Sequence, residues 1–280
     1  MSNIDNLITK KHIEYIAWPT IIYAFFCFIL FIACLVGVAN HLIPLWLAFV
    51  INTILAYMAF TPFHEAAHGN IKGKNYYLKF LEIAIGYMMG LMLIGPFHSF
   101  TFIHLTHHAH TNQDKEDPDF WVHGNNIFTS FLRCLTILFY YYWFFFTSKK
   151  RAAKAVFNIS IVAIIMFLLF MSVFAYYSSF TALLIAWVIP SVLANGLLAF
   201  ILDYMPHYPH KTIERYKNSN VVYGKIIYLL SMAHSFHVVH HAWPKIPFYR
   251  YKQVFFEQKD LFEKKETPIY QSVINLLLRK

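Results

Sequence analysis

Apolar residues in this chain gather into long blocks rather than alternating with polar ones. Four blocks of about 20 residues contain no charge: Ile16–Val38, Ile43–Phe63, Val156–Tyr177 and Thr181–Leu202. A helix rises about 1.5 Å per residue, so each block matches a hydrocarbon core of roughly 30 Å. The pattern predicts an all-α integral membrane bundle of four transmembrane helices. Two further apolar stretches carry a charge: Phe80–Phe97 contains Glu82 and Ile127–Thr147 contains Arg133. Charge at bilayer depth is costly, so both are expected to lie in the interface or fold back. The aromatic run Phe139–Phe146 reads as lipid-facing packing. The polar tail from about Tyr249 reads as short helices on a cap.

Composition supports the membrane reading. The chain is 58% hydrophobic and only 13% charged, well below the usual charge of a soluble domain. The first block is too long for a signal-peptide core and lacks a clear small-residue cleavage site. No repeat or low-complexity linker divides residues 1–280, which are expected to form one domain.

The net charge of +9 does not imply nucleic acid, because the basic residues flank the apolar blocks. Lys10 and Lys11, then Lys72, Lys74 and Lys79, then Lys149, Lys150, Arg151 and Lys154, then Lys211, Arg215 and Lys217 alternate with uncharged links at 39–42 and 178–180. Four crossings put every basic segment on one side, predicted to be the cytoplasm, together with both termini. An unaccompanied crossing by Phe80–Phe97 would break that parity. Cys27, Cys34 and Cys134 lie in apolar stretches without paired spacing and read as small core residues. No glycine-rich nucleotide motif is present.

Sixteen histidines change the picture. The first group is His64-Glu-Ala-Ala-His68. The second is His104-Leu-Thr-His107-His108, followed by His110. The third is His237-Val-Val-His240-His241, preceded by His234. Residues three or four apart share a helix face, so rings within a group are expected to converge. Adjacent residues point about 100° apart, so neighbours can serve two different metals. His12, His41 and His123 stand alone and read as ordinary polar residues. Eight grouped imidazoles are another matter, because burying them unpartnered is expensive and metal coordination satisfies them together.

More than one metal chemistry uses such residues. His64 to His68 is an H-E-x-x-H sequence, the signature of zinc metalloproteases, with Glu65 as general base and Asp203 as a third ligand. An all-imidazole copper pair is also chemically possible. Each leaves other histidine groups idle. A non-enzymatic metal binder or transporter is a further class, for which Asn52 and Asn195 within the apolar blocks are poor candidates.

The series HxxxH, HxxHH, HxxHH, with two boxes after one helical hairpin and the third after another, resembles the membrane fatty acid desaturase and hydroxylase superfamily. The likeness runs from about Thr61 to Tyr251. The phrases His107-His108-Ala-His110-Thr-Asn112 through Asp117-Pro-Asp119, and His240-His241-Ala-Trp-Pro244 through Pro247-Phe-Tyr-Arg250, are most similar to bacterial β-carotene hydroxylases.

The resemblance implies two iron ions held by His64, His68, His104, His107, His108, His237, His240 and His241 in a histidine-lined cytoplasmic cap. His207 is implied as a ninth ligand, with His210 in reserve. Asp203 is expected to hold a metal-bound water or orient a ligand, unless it is only a helix-end carboxylate. Among Asp114, Glu116, Asp117 and Asp119, the last two are the first candidates to support a ligand; a solvated turn is the bland alternative. His98, His110 and His234 are expected either to support a ligand from behind or to be spare. The implied reaction uses O2 and electrons from a separate ferredoxin- or cytochrome-type donor, since no His-Pro-Gly-Gly cytochrome segment is present. It attacks a C–H bond of a long lipid. Hydroxylation of a β-carotene ring leads, and desaturation of a fatty acyl chain follows.

Overall fold

A computed structural model describes residues 3–278. In chain order its helices are α1 (Asn3–His12), α2 (Trp18–Ala39), α3 (Leu45–His68), α4 (Lys79–Leu93), α5 (Phe97–His110), α6 (Ile127–Leu135), α7 (Ile137–Thr147), α8 (Arg151–Tyr177), α9 (Phe180–His207), α10 (Lys225–Leu230), α11 (His237–Ala242), α12 (Tyr251–Glu257), α13 (Lys259–Lys264) and α14 (Val273–Leu278). Two short strands, Val221–Val222 and Ile269–Tyr270, pair in parallel. The fold is all-α, as the block pattern predicts.

The four uncharged blocks became α2, α3, α8 and α9, all long and apolar enough to cross a membrane. Tyr76–Leu93 passes the same test as a fifth stretch, and α6 with α7 forms a pair bent by 66°. The charges in these two doubtful regions both have local partners. Glu82 lies in the first turn of α4 and takes a 2.9 Å ion pair from Lys72. Arg133 donates to the His123 carbonyl at 2.7 Å and stacks on Trp121.

Helix α4 does not leave the bundle. Its 15 residues are followed by a sharp turn and α5, which brings the second histidine group back beside the first. A helix end buried away from water leaves its last carbonyls without partners. Here three residues spaced four apart on α9 supply them. Trp187 Nε1 donates to the Leu91 carbonyl, Ser191 Oγ to Met92 and Asn195 Nδ2 to Leu93. Tyr142 Oη on α7 donates to the Ile94 carbonyl at 2.7 Å. The α4–α5 turn is therefore held from two sides, which fixes the direction in which α5 delivers its histidines.

Helix α9 is irregular for an identifiable reason. Pro190 has no N–H to give the Ala186 carbonyl one turn earlier. Buried Asn52 of α3 donates to that carbonyl instead, at 2.6 Å. Pro206 likewise lies beside a wide π turn, Ala199–Tyr204, that carries Asp203 and precedes His207. Wide turns of this kind shift the side chains that follow onto a new face.

Two main cores result. One joins α2, α3, α4 and α9 around Phe31, Met89 and Trp187. The other, built from Phe236, Trp243, Tyr251 and Phe255, packs the last third of the chain into a cap. Helix α1 is strapped to that cap: Asp5 accepts from Trp243 Nε1 at 3.1 Å and from Arg215 at 2.8 Å. The tail beyond Tyr249 forms short helices, as expected.

Candidate metal centre

The histidines reach one place from four segments. His64 and His68 occupy the last turns of α3, which Gly69 ends in the left-handed conformation (φ 72°) that glycine adopts without penalty. His104, His107 and His108 occupy the end of α5, His207 ends α9, and His237, His240 and His241 line α11. Eight of these nine are buried and His108 is half-buried.

Their nitrogens separate into two groups. His64, His68, His104, His108 and His240 form one; His107, His207, His237 and His241 form the other, and within each group the facing atoms lie within 4.8 Å of one another. In the first, Nε2 atoms approach at 2.7 Å (His68–His104), 2.8 Å (His108–His240) and 3.0 Å (His64–His240). In the second, His241 Nε2 lies 3.1 Å from His237 Nε2 and 3.3 Å from His107 Nε2.

The expectation that every ring in a box converges needs correction. The pairs four apart share a group: His64 with His68, His104 with His108, His237 with His241. The members three apart, His107 and His240, join the opposite group. At about 100° per residue, i+4 lies roughly 40° to one side of residue i and i+3 roughly 60° to the other. One helix thereby feeds both groups.

Proton positions make these groups suited to cations. His107 Nδ1 donates to Asp117 at 2.9 Å, His207 Nδ1 to the Asn218 carbonyl at 2.8 Å, and His240 Nδ1 to Tyr251 Oη at 2.9 Å. His207 and His240 thereby turn an Nε2 lone pair inward, and the Asp117 bond aims His107 Nε2 toward the second group. A metal–imidazole bond of about 2.1 Å separates neighbouring donors by about 3.0 Å at right angles and about 3.4 Å at the tetrahedral angle, which matches the observed spacings. Burial, reinforced by neighbouring rings, pushes His104, His108, His237, His240 and His241 well below the usual imidazole range. They are neutral, the form a metal takes. His107 is the exception. Burial opposes its charge, but Asp117 and Asp119 outweigh that and hold it up at about 10.

The carboxylates expected beside the ligands are unequal. Asp117 and Asp119 are buried, with Asp119 Oδ2 3.2 Å from His107 Nδ1. Asp117 also accepts from the backbone N–H groups of Asn112 and Asp119. Tyr141 Oη donates to Asp119 at 2.6 Å and lies 3.5 Å from Asp203, which brings Asp203 to the same corner. Asp114 and Glu116 are exposed, and Glu116 pairs with Lys150. His210 and His110 belong to neither group. His98 hydrogen-bonds Tyr87. His234 gives its Nδ1 to the Ser231 and Met232 carbonyls.

Glu65 does not serve as the protease reading requires. It accepts from Asn70 Nδ2, Phe248 N–H and Tyr251 Oη, on the side of the histidines away from their facing nitrogens. Tyr251 and Tyr141, which back the two groups, were not legible as site residues. Each lies 10 or more positions from its partner, and no spacing rule connects them.

A small apolar cavity of about 40 Å³ is walled by Phe60, Phe63, Phe100, Ile103, Leu198 and Asp203, with none of the nine histidines in its lining. Phe60 stacks on His64 and Phe100 on His104. Tyr141 and Tyr142 line its far wall. The run Phe139–Phe146 is thus only partly lipid-facing: Phe139, Trp143 and Phe146 are exposed, while Phe145 is buried and Tyr141 and Tyr142 reach the cavity.

The sequence model described as "Fatty acid desaturase" matches residues 40–272, spanning every histidine group. The chain belongs to the fatty acid desaturase family. No curated protein matches it. Within this desaturase-family chain the matched region includes both nitrogen groups and every residue lining the cavity. Membership supports a membrane oxidoreductase acting on lipids, and the protease reading, which leaves histidine groups idle, is set aside.

Proposed function

We propose that the chain is an O2-dependent, di-iron fatty acyl desaturase. The observation that carries this reading is the gathering of nine histidines into two facing nitrogen groups, beside which Phe60 and Phe100, stacked on His64 and His104, wall a small apolar cavity. His64, His68, His104, His108 and His240 would hold one iron, and His107, His207, His237 and His241 the other. Bound iron supplies the activation of O2 needed to remove hydrogen from an unactivated C–H bond.

The chain's own residues do the rest. Phe60 and Phe100 brace the imidazoles and offer the substrate an apolar wall that excludes water. Asp117 and Asp119 fix the His107 ring through its Nδ1–H. Asp203, between the second group and the cavity, is positioned to hold a water or a proton near the reacting carbon.

Of the two substrates expected from the sequence, the match to the fatty acid desaturase family supports an acyl chain over a carotenoid end ring. The basic flanks lie at the histidine-bearing ends of the spans, which supports a cytoplasmic site and cytoplasmic termini. A separate ferredoxin- or cytochrome-type protein would deliver the electrons.

Expression in cells that accumulate β-carotene, with fatty acids and pigments profiled together, tests the reading. New double bonds in acyl chains are expected. Hydroxylated pigment with unchanged acyl chains would reverse the substrate assignment, and about two irons per purified chain is the accompanying metal result.

A further inference from the structure

Glu65 is fully buried and carries a carboxylate next to His64 in sequence, yet its Oε1 stays 4.0 Å from His64 Nδ1, beyond hydrogen-bond distance. Its partners come from elsewhere. It accepts from Asn70 Nδ2 at 3.3 Å, from the Phe248 N–H at 3.3 Å and from the Tyr251 hydroxyl. Asn70 in turn donates to the Pro244 carbonyl at 2.9 Å. Glu65 is thus an acceptor for three donors, two of them from the segment following the third histidine box.

Tyr251 is equally committed. It is fully buried at the start of α12, and its single hydroxyl hydrogen goes to Glu65. Its oxygen is then free to accept the Nδ1–H of His240 at 2.9 Å. A buried chain results: imidazole to phenol to carboxylate. It fixes the His240 tautomer and aims Nε2 at His64 and His108. The other group is backed differently, with Asp117 and Asp119 bonding His107 without an intermediary.

We infer that Tyr251 and Glu65 are positioning residues that hold His240 for the first metal group, making the two metal positions unequal in their carboxylate support. The inference rests on the di-iron reading above. One metal is backed by a carboxylate one hydrogen bond from its ligand and the other by a carboxylate two hydrogen bonds away. Loss of such outer partners typically weakens metal retention 10- to 100-fold.

The test uses the full chain purified in detergent and loaded with 57Fe. Tyr251→Phe removes one oxygen and keeps the ring that packs the cap. We expect one of the two irons to leave to a ferrous chelator at least tenfold faster than in the wild type, and one of two Mössbauer signals to change. Glu65→Gln should perturb the same signal, and the double variant should add little to either single one. Asp117→Asn should perturb the other signal. Iron-free Tyr251→Phe should retain wild-type helical content, which separates positioning from folding. Tyr251→Phe protein that keeps both irons at the wild-type rate, with unchanged spectra, would overturn the inference while leaving the di-iron reading intact. Wild-type protein that takes up no iron would instead overturn that reading.

Discussion

His240 and His241 are adjacent in sequence, yet their imidazoles enter different nitrogen groups, with ring planes 83° apart. Short helix α11 thereby contributes to both nitrogen groups. His107 and His108 repeat the split on α5 in the opposite order, His107 joining the second group and His108 the first.

This division predicts two distinguishable lesions. His240→Ala and His241→Ala should each abolish desaturation, and each should lower iron from about two per chain toward one. The iron retained should differ between them, seen as complementary Mössbauer spectra. Identical residual spectra would contradict the division.

His207 and His210 lie three residues apart and were both candidates for a ninth ligand. Only His207 faces the second group, with its Nδ1 held by the Asn218 carbonyl. His207→Ala should lose at least tenfold in iron retention. His210→Ala should bind iron as the wild type does, by metal analysis after gel filtration.

The α4–α5 turn depends on side chains that satisfy carbonyls away from water. Trp187→Phe leaves the Leu91 carbonyl without its donor. A loss of about 1 to 3 kcal/mol is expected from an orphaned buried acceptor, nearer 1 if lipid-exposed alternatives exist. Denaturation in detergent measures it. Unchanged stability would mean that the turn is held by packing alone.

Acid should loosen the cap. Burial outweighs the backbone carbonyls that favour a charged ring and pushes His234 from 6.5 down to about 4. The unfolded chain therefore takes up a proton near pH 6.5 that the folded chain refuses until about pH 4. Stability from this group is fully present above pH 6.5 and falls as pH drops toward 4, by roughly 3 kcal/mol. His240 and His241 are pushed down by the same cause and add to the effect. Iron-free protein should show a denaturation midpoint that declines as pH falls below 6.5. A midpoint flat to pH 4.5 would contradict the burial of neutral rings.

The block pattern alone determined the membrane bundle, because about 20 consecutive apolar residues admit few other folds in water or lipid. The helical period then made each histidine box a local cluster, and the need to satisfy buried imidazoles made a metal the economical reading. Parity of crossings even required that the Phe80–Phe97 stretch return. What periodicity left open was which box member meets which.

That choice was made by tertiary contacts: the Trp187–Ser191–Asn195 ladder that turns α4 back, the wide turn before Pro206 that swings His207 inward, and the cap that seats α11 over α3. The supports of the ligands were hidden for the same reason. Tyr251 and Glu65 are 186 positions apart, Tyr141 and Asp119 are 22 apart, and a hydrogen bond between residues so separated exists only after the chain has packed.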